Sequence, residues 1–265
     1  CQVVIVADHD ETGKKYAKQA ADLYGAMIIT PPVEGQDIND YWLSGGSVVE
    51  LLRPAPKPWL VNADEFCAKP DPIKWLAKHW IQEQSLMMIF GPSGCGKTFV
   101  VLDACLHIAS GKADWFGKKI KRAPVVYLAG EGHFGLKARV AGWKQVHKPQ
   151  SQLDMWISSG GAKLDNEKSF QKVVEELRQL PVKPALIVVD TVHRFLEGDE
   201  NSAQDAGDFV FRCDELKRLF GCAVWLVHHT GVSDDAKGRA RGSSAWRGDL
   251  DIESCVTKNK DGTIT

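Results

Sequence analysis

The chain has 265 residues, of which 44% are hydrophobic and 25% are charged, and this composition is typical of a globular protein. It excludes a disordered or collagen-like chain, and no apolar run reaches the roughly 18 residues that a membrane span needs. The net charge of −1 excludes an overall basicity that would indicate a nucleic-acid partner. At about 150 residues per domain, the length indicates one large domain and part of another.

The chain starts with Cys1, which reads as the inside of a strand, and no initiator Met or signal-peptide pattern precedes it. We therefore expect a piece of a longer protein. The seven cysteines form no C-x-x-C pair and no zinc-ligand spacing. Reduced core thiols are the simplest interpretation, which predicts a cytoplasmic location.

Residues 1–52 predict an alternation of strands and helices. The strands are expected at residues 3–7, which we expect to be buried, and 26–30, and the helices at residues 14–24 and 37–43. Residues 53–73 contain five prolines, which keep a chain extended and predict a connector between two domains.

Residues 74–265 predict a second domain of the α/β class, in which apolar strands alternate with helices around a parallel central sheet. The predicted strands are residues 86–90, 124–129, 155–158, 185–190 and 223–228. The predicted helices are residues 97–110, 166–180 and 203–220. Asp261-Gly262 predicts a tight hairpin turn between residues 255–258 and 263–265.

A phosphate-binding loop follows the first strand of this domain. Its sequence, G-x-x-x-x-G-K-T, is Gly91-Pro92-Ser93-Gly94-Cys95-Gly96-Lys97-Thr98. Glycines let successive backbone N–H groups point at phosphate oxygens, and the following helix adds a positive N-terminus. We expect Lys97 to reach the β- and γ-phosphates of ATP, Thr98 to bind Mg²⁺ and Phe99 to complete the nucleotide-binding set.

Two carboxylates end predicted strands of the same domain. Asp190 follows the apolar run Leu-Ile-Val-Val, and at this place it could hold the Mg²⁺ shell beside Thr98. Glu131 follows the strand at 124–129 between two glycines, where it could activate the attacking water as a general base. The alternatives are a structural Asp at a strand end and a loop or helix-capping role for Glu131.

The strand at 223–228 ends in His-His-Thr. A polar side chain at this position could contact the γ-phosphate and report its hydrolysis to the following loop. We prefer His228 for this role. The alternatives are that the histidine pair binds a metal or simply packs in the core.

Taken together, these motifs and the later Arg-Gly-Ser-Ser segment resemble the RepA-type hexameric replicative helicases of plasmids and phages, which belong to the RecA/DnaB-like ATPases. The resemblance covers residues 74–265 and implies a homo-oligomeric ring, with ATP at each subunit interface, in a bacterial or phage-infected cell. It implies an arginine finger, best matched by Arg241 with Arg239 and Lys237 next. It also implies single-stranded DNA contacts from residues 191–204 and 231–240, the second of which holds Lys237 and Arg239.

The N-terminal segment resembles the C-terminal half of a Toprim domain, the metal-binding fold of primases and topoisomerases. The match rests on a strand followed by D-x-D-x-x-G, in which Asp8 and Asp10 could share Mg²⁺, and on residues 35–41. Together, the two resemblances predict that the chain is the ATP-hydrolysing part of a primase–helicase. A RecA-like regulatory ATPase, an inactive nucleotide-binding module and a small-molecule P-loop kinase are the alternatives.

One geometric prediction tests the RecA-like assignment directly. We predict that the strand at 223–228 lies between the strands at 86–90 and 185–190, and any other strand order would remove the assignment.

Overall fold

A computed structural model describes residues 3–47, 51, 60–230, 242–243 and 245–265. By the density of contacts within the chain, it divides into two compact units, residues 1–71 and 72–265. Among the described residues, no helix combines the length and apolar character that crossing a bilayer requires.

The N-terminal unit contains a two-stranded parallel sheet. Its elements are β1 (Val4–Val6), α1 (Glu11–Tyr24), β2 (Met27–Ile29), α2 (Ile38–Leu43) and α3 (Ala63–Cys67). The prediction that the first strand is buried is wrong, since Val6 of β1 is 37% exposed. The reason is that α1 packs on the pair of strands, and a single helix shields only one face of a sheet.

Side-chain caps set two helix starts in this unit. Asp10 accepts a hydrogen bond from the Gly13 N–H at 2.6 Å, so α1 begins three residues before the predicted position 14. In the predicted extended connector, the Asn62 side chain accepts from the Asp64 N–H at 2.9 Å and starts α3. The expectation of an extended chain is therefore wrong at Ala63–Cys67, because a good N-cap overrides the nearby prolines, while the role of residues 53–73 as a connector stays a prediction.

The second unit is built around a six-stranded sheet whose paired strands are all parallel. The strands of this unit are β3 (Trp75–Ala77), β4 (Ile81–Gln82), β5 (Leu86–Gly91), β6 (Asp114–Trp115), β7 (Lys118–Lys119), β8 (Val125–Ala129), β9 (Met155–Ile157), β10 (Leu186–Asp190), β11 (Ala223–His229) and β12 (Ile252–Cys255). Six of them form the large sheet, in the order β12-β5-β11-β10-β8-β9. The predicted place of β11 between β5 and β10 is confirmed.

Helices cover both faces of this sheet. They are α4 (Lys97–Ser110), α5 (His133–His147), α6 (Glu167–Arg178), α7 (Val192–Phe195), α8 (Ala203–Phe220) and α9 (Ala245–Gly248). Side chains alternate along each strand, so Met87 and Ile89 pack with α4 and α5. Met88 and Phe90 pack with α6 and α8 in a second core. Two buried faces explain why the strands read as continuous apolar runs.

The C-terminal hairpin is confirmed, but its first strand starts later than expected. Thr257 and Thr265 exchange backbone hydrogen bonds of 2.8 and 3.0 Å. Residues up to Cys255 instead form β12, which lies beside β5 at the edge of the large sheet. Two of the four residues of Ile252–Cys255 are polar and exposure alternates along the strand, as is typical of an edge strand, and this strand was missed.

Candidate functional site

A cavity of about 470 Å³ lies at the carboxyl ends of the four central strands. The strand order brings the loop after β5, the end of β11, the end of β10 and the loop after β8 side by side. The predicted site residues that line it are Ser93, Gly94, Gly96, Lys97, Thr98, Phe99, Glu131 and Asp190. Parallel strands bind ligands at this edge, so the sheet itself assembles the predicted site.

The phosphate-binding loop turns sharply between β5 and α4. Gly94 has φ +75° and Gly96 has φ +101°, the left-handed region that favours glycine. Gly91 is needed for another reason, because a Cβ there would lie 2.2 Å from the Val256 carbonyl oxygen. Gly91, Pro92 and Cys95 belong to the predicted set but do not line the cavity.

Lys97 is buried beneath this loop. Its ammonium donates to the carbonyl oxygens of Gly91 at 2.8 Å and Pro92 at 2.9 Å, and it lies 3.4 Å from His229 Nδ1. Burial lowers the pKa of Lys97, while the charge of Asp190 opposes this shift. An anionic ligand beside this ammonium would favour its charged form in the same way as Asp190 does.

Asp190 lies in a buried polar pair at the end of β10. The Tyr127 hydroxyl donates to Asp190 Oδ2 at 2.5 Å. Burial raises the pKa of Asp190, whereas hydrogen bonds from Tyr127 and Thr98 and the charge of Lys97 oppose the shift. The carboxylate and the Thr98 hydroxyl are hard oxygen donors of the kind Mg²⁺ prefers. Tyr127 was missed, although a tyrosine inside the apolar run of β8 could have indicated it.

Glu131 follows β8 and stands half-exposed at the cavity mouth. Its Oε2 accepts hydrogen bonds from Arg194 Nε at 2.8 Å and Nη2 at 2.5 Å. Gly130 permits this approach, because a Cβ there would lie 2.3 Å from the Arg194 Cβ. Arg194 belongs to α7, directly after Asp190 in the chain, and no sequence pattern pointed to this pair.

The structure corrects the choice between the two histidines. His228 is fully buried with its ring 5.3 Å from that of Trp246, whereas His229 lines the cavity beside Lys97. The reason is the alternation of side chains along β11. His228 packs in the core, and of the two histidines only His229 lines the cavity.

Phe99 and Arg139 form a further part of the cavity wall. Phe99 is 54% exposed, and Arg139 Cζ lies 4.1 Å from its ring centroid, which is cation–π geometry. Both residues line the cavity. Arg139 was missed, because an arginine in the middle of α5 has no motif around it.

Other predicted residues lie elsewhere. Lys237, Arg239 and Arg241 fall outside the described residues. Asp8 and Asp10 are both exposed and belong to the N-terminal unit, where Asp10 caps α1. Gly13 is fixed by that turn, since a Cβ on it would meet the Asp8 carbonyl oxygen at 2.7 Å.

Comparison with known proteins identifies the family. A family model described as "AAA domain" matches residues 51–235. The chain belongs to the AAA domain family. Among solved structures, a chain whose title describes an ATPase domain is similar, with 12% identity, a TM-score of 0.48 and coverage of 66% of this chain and 70% of that chain.

The AAA domain contains the elements that a nucleoside triphosphate with Mg²⁺ requires. The loop ends in a buried lysine, a helix of 14 residues begins at that lysine, and two oxygen ligands converge next to it. A positive helix N-terminus and curled backbone N–H groups complement phosphate. The described residues of this cavity therefore fit ATP with Mg²⁺ chemically.

Proposed function

We propose that this AAA domain is the ATP-hydrolysing motor of a replicative DNA helicase, acting as a ring and coupled to single-stranded DNA. The observation that carries the catalytic part is the convergence of Lys97, Asp190 and Glu131 at one cavity. The three residues come from three different strand ends, as expected if the cavity evolved for phosphoryl transfer.

Each residue has a distinct task in this proposal. Lys97 leaves the Gly91 and Pro92 carbonyl groups and pairs with the triphosphate. Thr98 and Asp190 would hold an Mg²⁺ ion, which would supply positive charge to the phosphates. Tyr127 keeps Asp190 oriented through their hydrogen bond. His229 lies close enough to Lys97 to sense the γ-phosphate.

Glu131 is the proposed base that orients and deprotonates the attacking water. It must first exchange its partner, because Arg194 holds its Oε2 oxygen. The pair is half-exposed on both sides, and exposed ion pairs of this kind are weak, contributing about 0.2–1 kcal/mol. A change of rotamer at Arg194 is therefore enough to free the base, and α7 itself can stay in place with Val192 and Phe195 in the core.

The ring and DNA parts of the proposal rest on the sequence resemblance and on the shape of the cavity. Glu131 and Phe99 are 52% and 54% exposed, so the cavity mouth can receive a cation from a neighbouring subunit. Arg241, with Arg239 and Lys237 as alternatives, is the proposed finger. A positioned guanidinium stabilises charge on the transferring phosphoryl group.

The decisive experiment measures ATP turnover with and without single-stranded DNA. Glu131→Gln should lower turnover by at least about 100-fold, since a general base contributes about 10²–10⁴-fold, while ATP binding stays close to the parent. Glu175→Gln, an exposed position on α6, is the matched control. Equal turnover in Glu131→Gln and the parent would remove Glu131 from the mechanism.

DNA stimulation separates the motor from a regulatory ATPase. We expect single-stranded DNA to raise turnover in a longer protein that includes this chain, and light scattering to show an oligomer with ATP. A rate of ATP hydrolysis that single-stranded DNA leaves unchanged would support the regulatory alternative.

The N-terminal unit supports a further part of the proposal, a Toprim-type metal site. The Asp10 cap and the tight contact of Gly13 with Asp8 give D-x-D-x-x-G a defined turn after β1. In the longer protein, Asp8→Asn with Asp10→Asn should abolish Mg²⁺-dependent primer synthesis and leave ATP turnover unchanged. Unchanged primer synthesis would contradict this assignment.

A further inference from the structure

A second group of chemically active side chains lies between α4 and α5 and does not line the nucleotide cavity. It comprises Asp103 and His107, one helical turn apart on α4, and His147, the last residue of α5. One possible ligand atom from each residue lies within 4.8 Å of the others. Within the part of the chain that the structure describes, no other group of three such residues converges this closely.

The Asp103 carboxylate is held in a fixed orientation by two indole groups. Trp143 Nε1 donates to Oδ1 at 2.9 Å, and Trp115 Nε1 donates to Oδ2 at 2.8 Å. Each carboxylate oxygen keeps a second lone pair. Outer hydrogen bonds of this kind orient metal ligands and are a regular part of metal sites.

The two histidine rings are also positioned. His107 Nδ1 lies 2.8 Å from the Asp103 carbonyl oxygen and 3.3 Å from Asp103 Oδ1, so in the neutral ring a proton on Nδ1 would leave the Nε2 lone pair for a metal ion. The His147 ring stacks on Trp143, with centroids 4.4 Å apart and planes 14° from parallel. It meets His107 edge-on at 5.0 Å, so both rings are restrained close to Asp103.

We propose that Asp103, His107 and His147 bind a divalent transition-metal ion of the Zn²⁺ class. Two imidazoles and one carboxylate suit this ion, and three protein ligands leave one position for water. His107 already contacts the Asp103 carboxylate at 3.3 Å, and stacking on Trp143 brings the second imidazole, His147, to the same point. A bound ion would join α4, which starts at Lys97, to α5, which follows Glu131.

The test uses the metal itself and does not depend on ATP turnover. Calorimetric titration with Zn²⁺ should show one tight site per chain, and Co²⁺ should give the intense visible bands of a tetrahedral site. His147→Gln should weaken Zn²⁺ binding by at least about tenfold, the lower end of what losing a supporting group costs. His193→Gln replaces an exposed histidine elsewhere and should bind like the parent.

Melting temperatures without metal show whether His147→Gln is folded, and added Zn²⁺ should raise the melting temperature of the parent more than that of the variant. Three results would overturn the proposal. The first is a parent chain without tight Zn²⁺ binding and without tetrahedral Co²⁺ bands, which makes the cluster a structural network only. The second is a folded His147→Gln that keeps parental affinity, and the third is thiolate-to-cobalt bands in the parent; both place the ion elsewhere.

Discussion

Removing the Tyr127 hydroxyl tests the metal-binding end of the proposed mechanism. Tyr127→Phe keeps the aromatic ring, which is 1% exposed, so its apolar packing is preserved. The substitution deletes a single interaction, the hydrogen bond that the phenol donates to Asp190 Oδ2 at 2.5 Å. The affected carboxylate is the proposed Mg²⁺ ligand.

The size of the effect follows from the burial of Asp190, which is 7% exposed. A hydrogen bond to a charged group contributes about 1.5–3 kcal/mol. Thr98 and Lys97 remain to favour the ionised carboxylate, so we expect the lower end, about a tenfold loss of apparent Mg²⁺ affinity. The Tyr127 hydrogen bond opposes the rise in the Asp190 pKa that burial causes. Its loss therefore raises that pKa further, and the acid limb of ATP turnover moves to higher pH.

The assay is ATP turnover measured over a range of Mg²⁺ concentrations and pH values. Tyr16→Phe, at an exposed tyrosine of the N-terminal unit, is the matched control and should behave like the parent. If Tyr127→Phe needs no more Mg²⁺ than the parent and keeps the same acid limb, Asp190 does not bind the metal through the arrangement described above.

Three further predictions concern the same cavity. Burial raises the Asp190 pKa above its unfolded value, so the ionised carboxylate lowers stability at neutral pH, and this cost fades as the pH falls through the folded pKa. Asp190→Asn should therefore lose ATP hydrolysis but raise the melting temperature at pH 7 by a few degrees, on the order of 1 kcal/mol. The gain in melting temperature should be smaller at acid pH. Arg194→Ala should raise ATP turnover without DNA by up to about fivefold, because it removes an exposed ion pair that contributes at most about 1 kcal/mol. A fall in turnover would mean instead that Arg194 holds Glu131 in its working position. Gly91→Ala places a Cβ 2.2 Å from the Val256 carbonyl and should cost at least about 2 kcal/mol in urea unfolding, so an unchanged midpoint would contradict the packing described.

Patterns confined to one strand or loop predicted much of the fold. The apolar runs of β5, β8, β10 and β11 are visible in the sequence because both faces of each strand are buried. The order of these strands was predicted through the family resemblance rather than from the runs themselves. By contrast, β12 is an edge strand in which half-buried and exposed residues alternate, and no apolar run marks it.

Sequence patterns singled out cavity residues that carry a motif of their own and missed pairs formed by distant residues. Lys97, Thr98 and Asp190 each follow a recognisable strand or glycine pattern and all three line the cavity, while their roles stay predictions. Tyr127 and Arg194 act through partners 63 residues away in the chain, and such pairs have no local signal. The choice between His228 and His229 depends on which side of the sheet each side chain of β11 faces. The sequence does not reveal this, because both faces of the strand are buried.

The C-terminal hairpin touches the phosphate-binding loop. Ile264 Cδ1 lies 2.5 Å from where a Cβ on Gly96 would be, and the Val256 carbonyl closes over Gly91. A movement of the loop toward the hairpin would therefore press on Ile264. Cys255 is an exposed thiol at the end of β12, just before this hairpin, so with the exposed Cys67 replaced by serine a fluorophore on Cys255 would serve as an optical reporter of nucleotide loading.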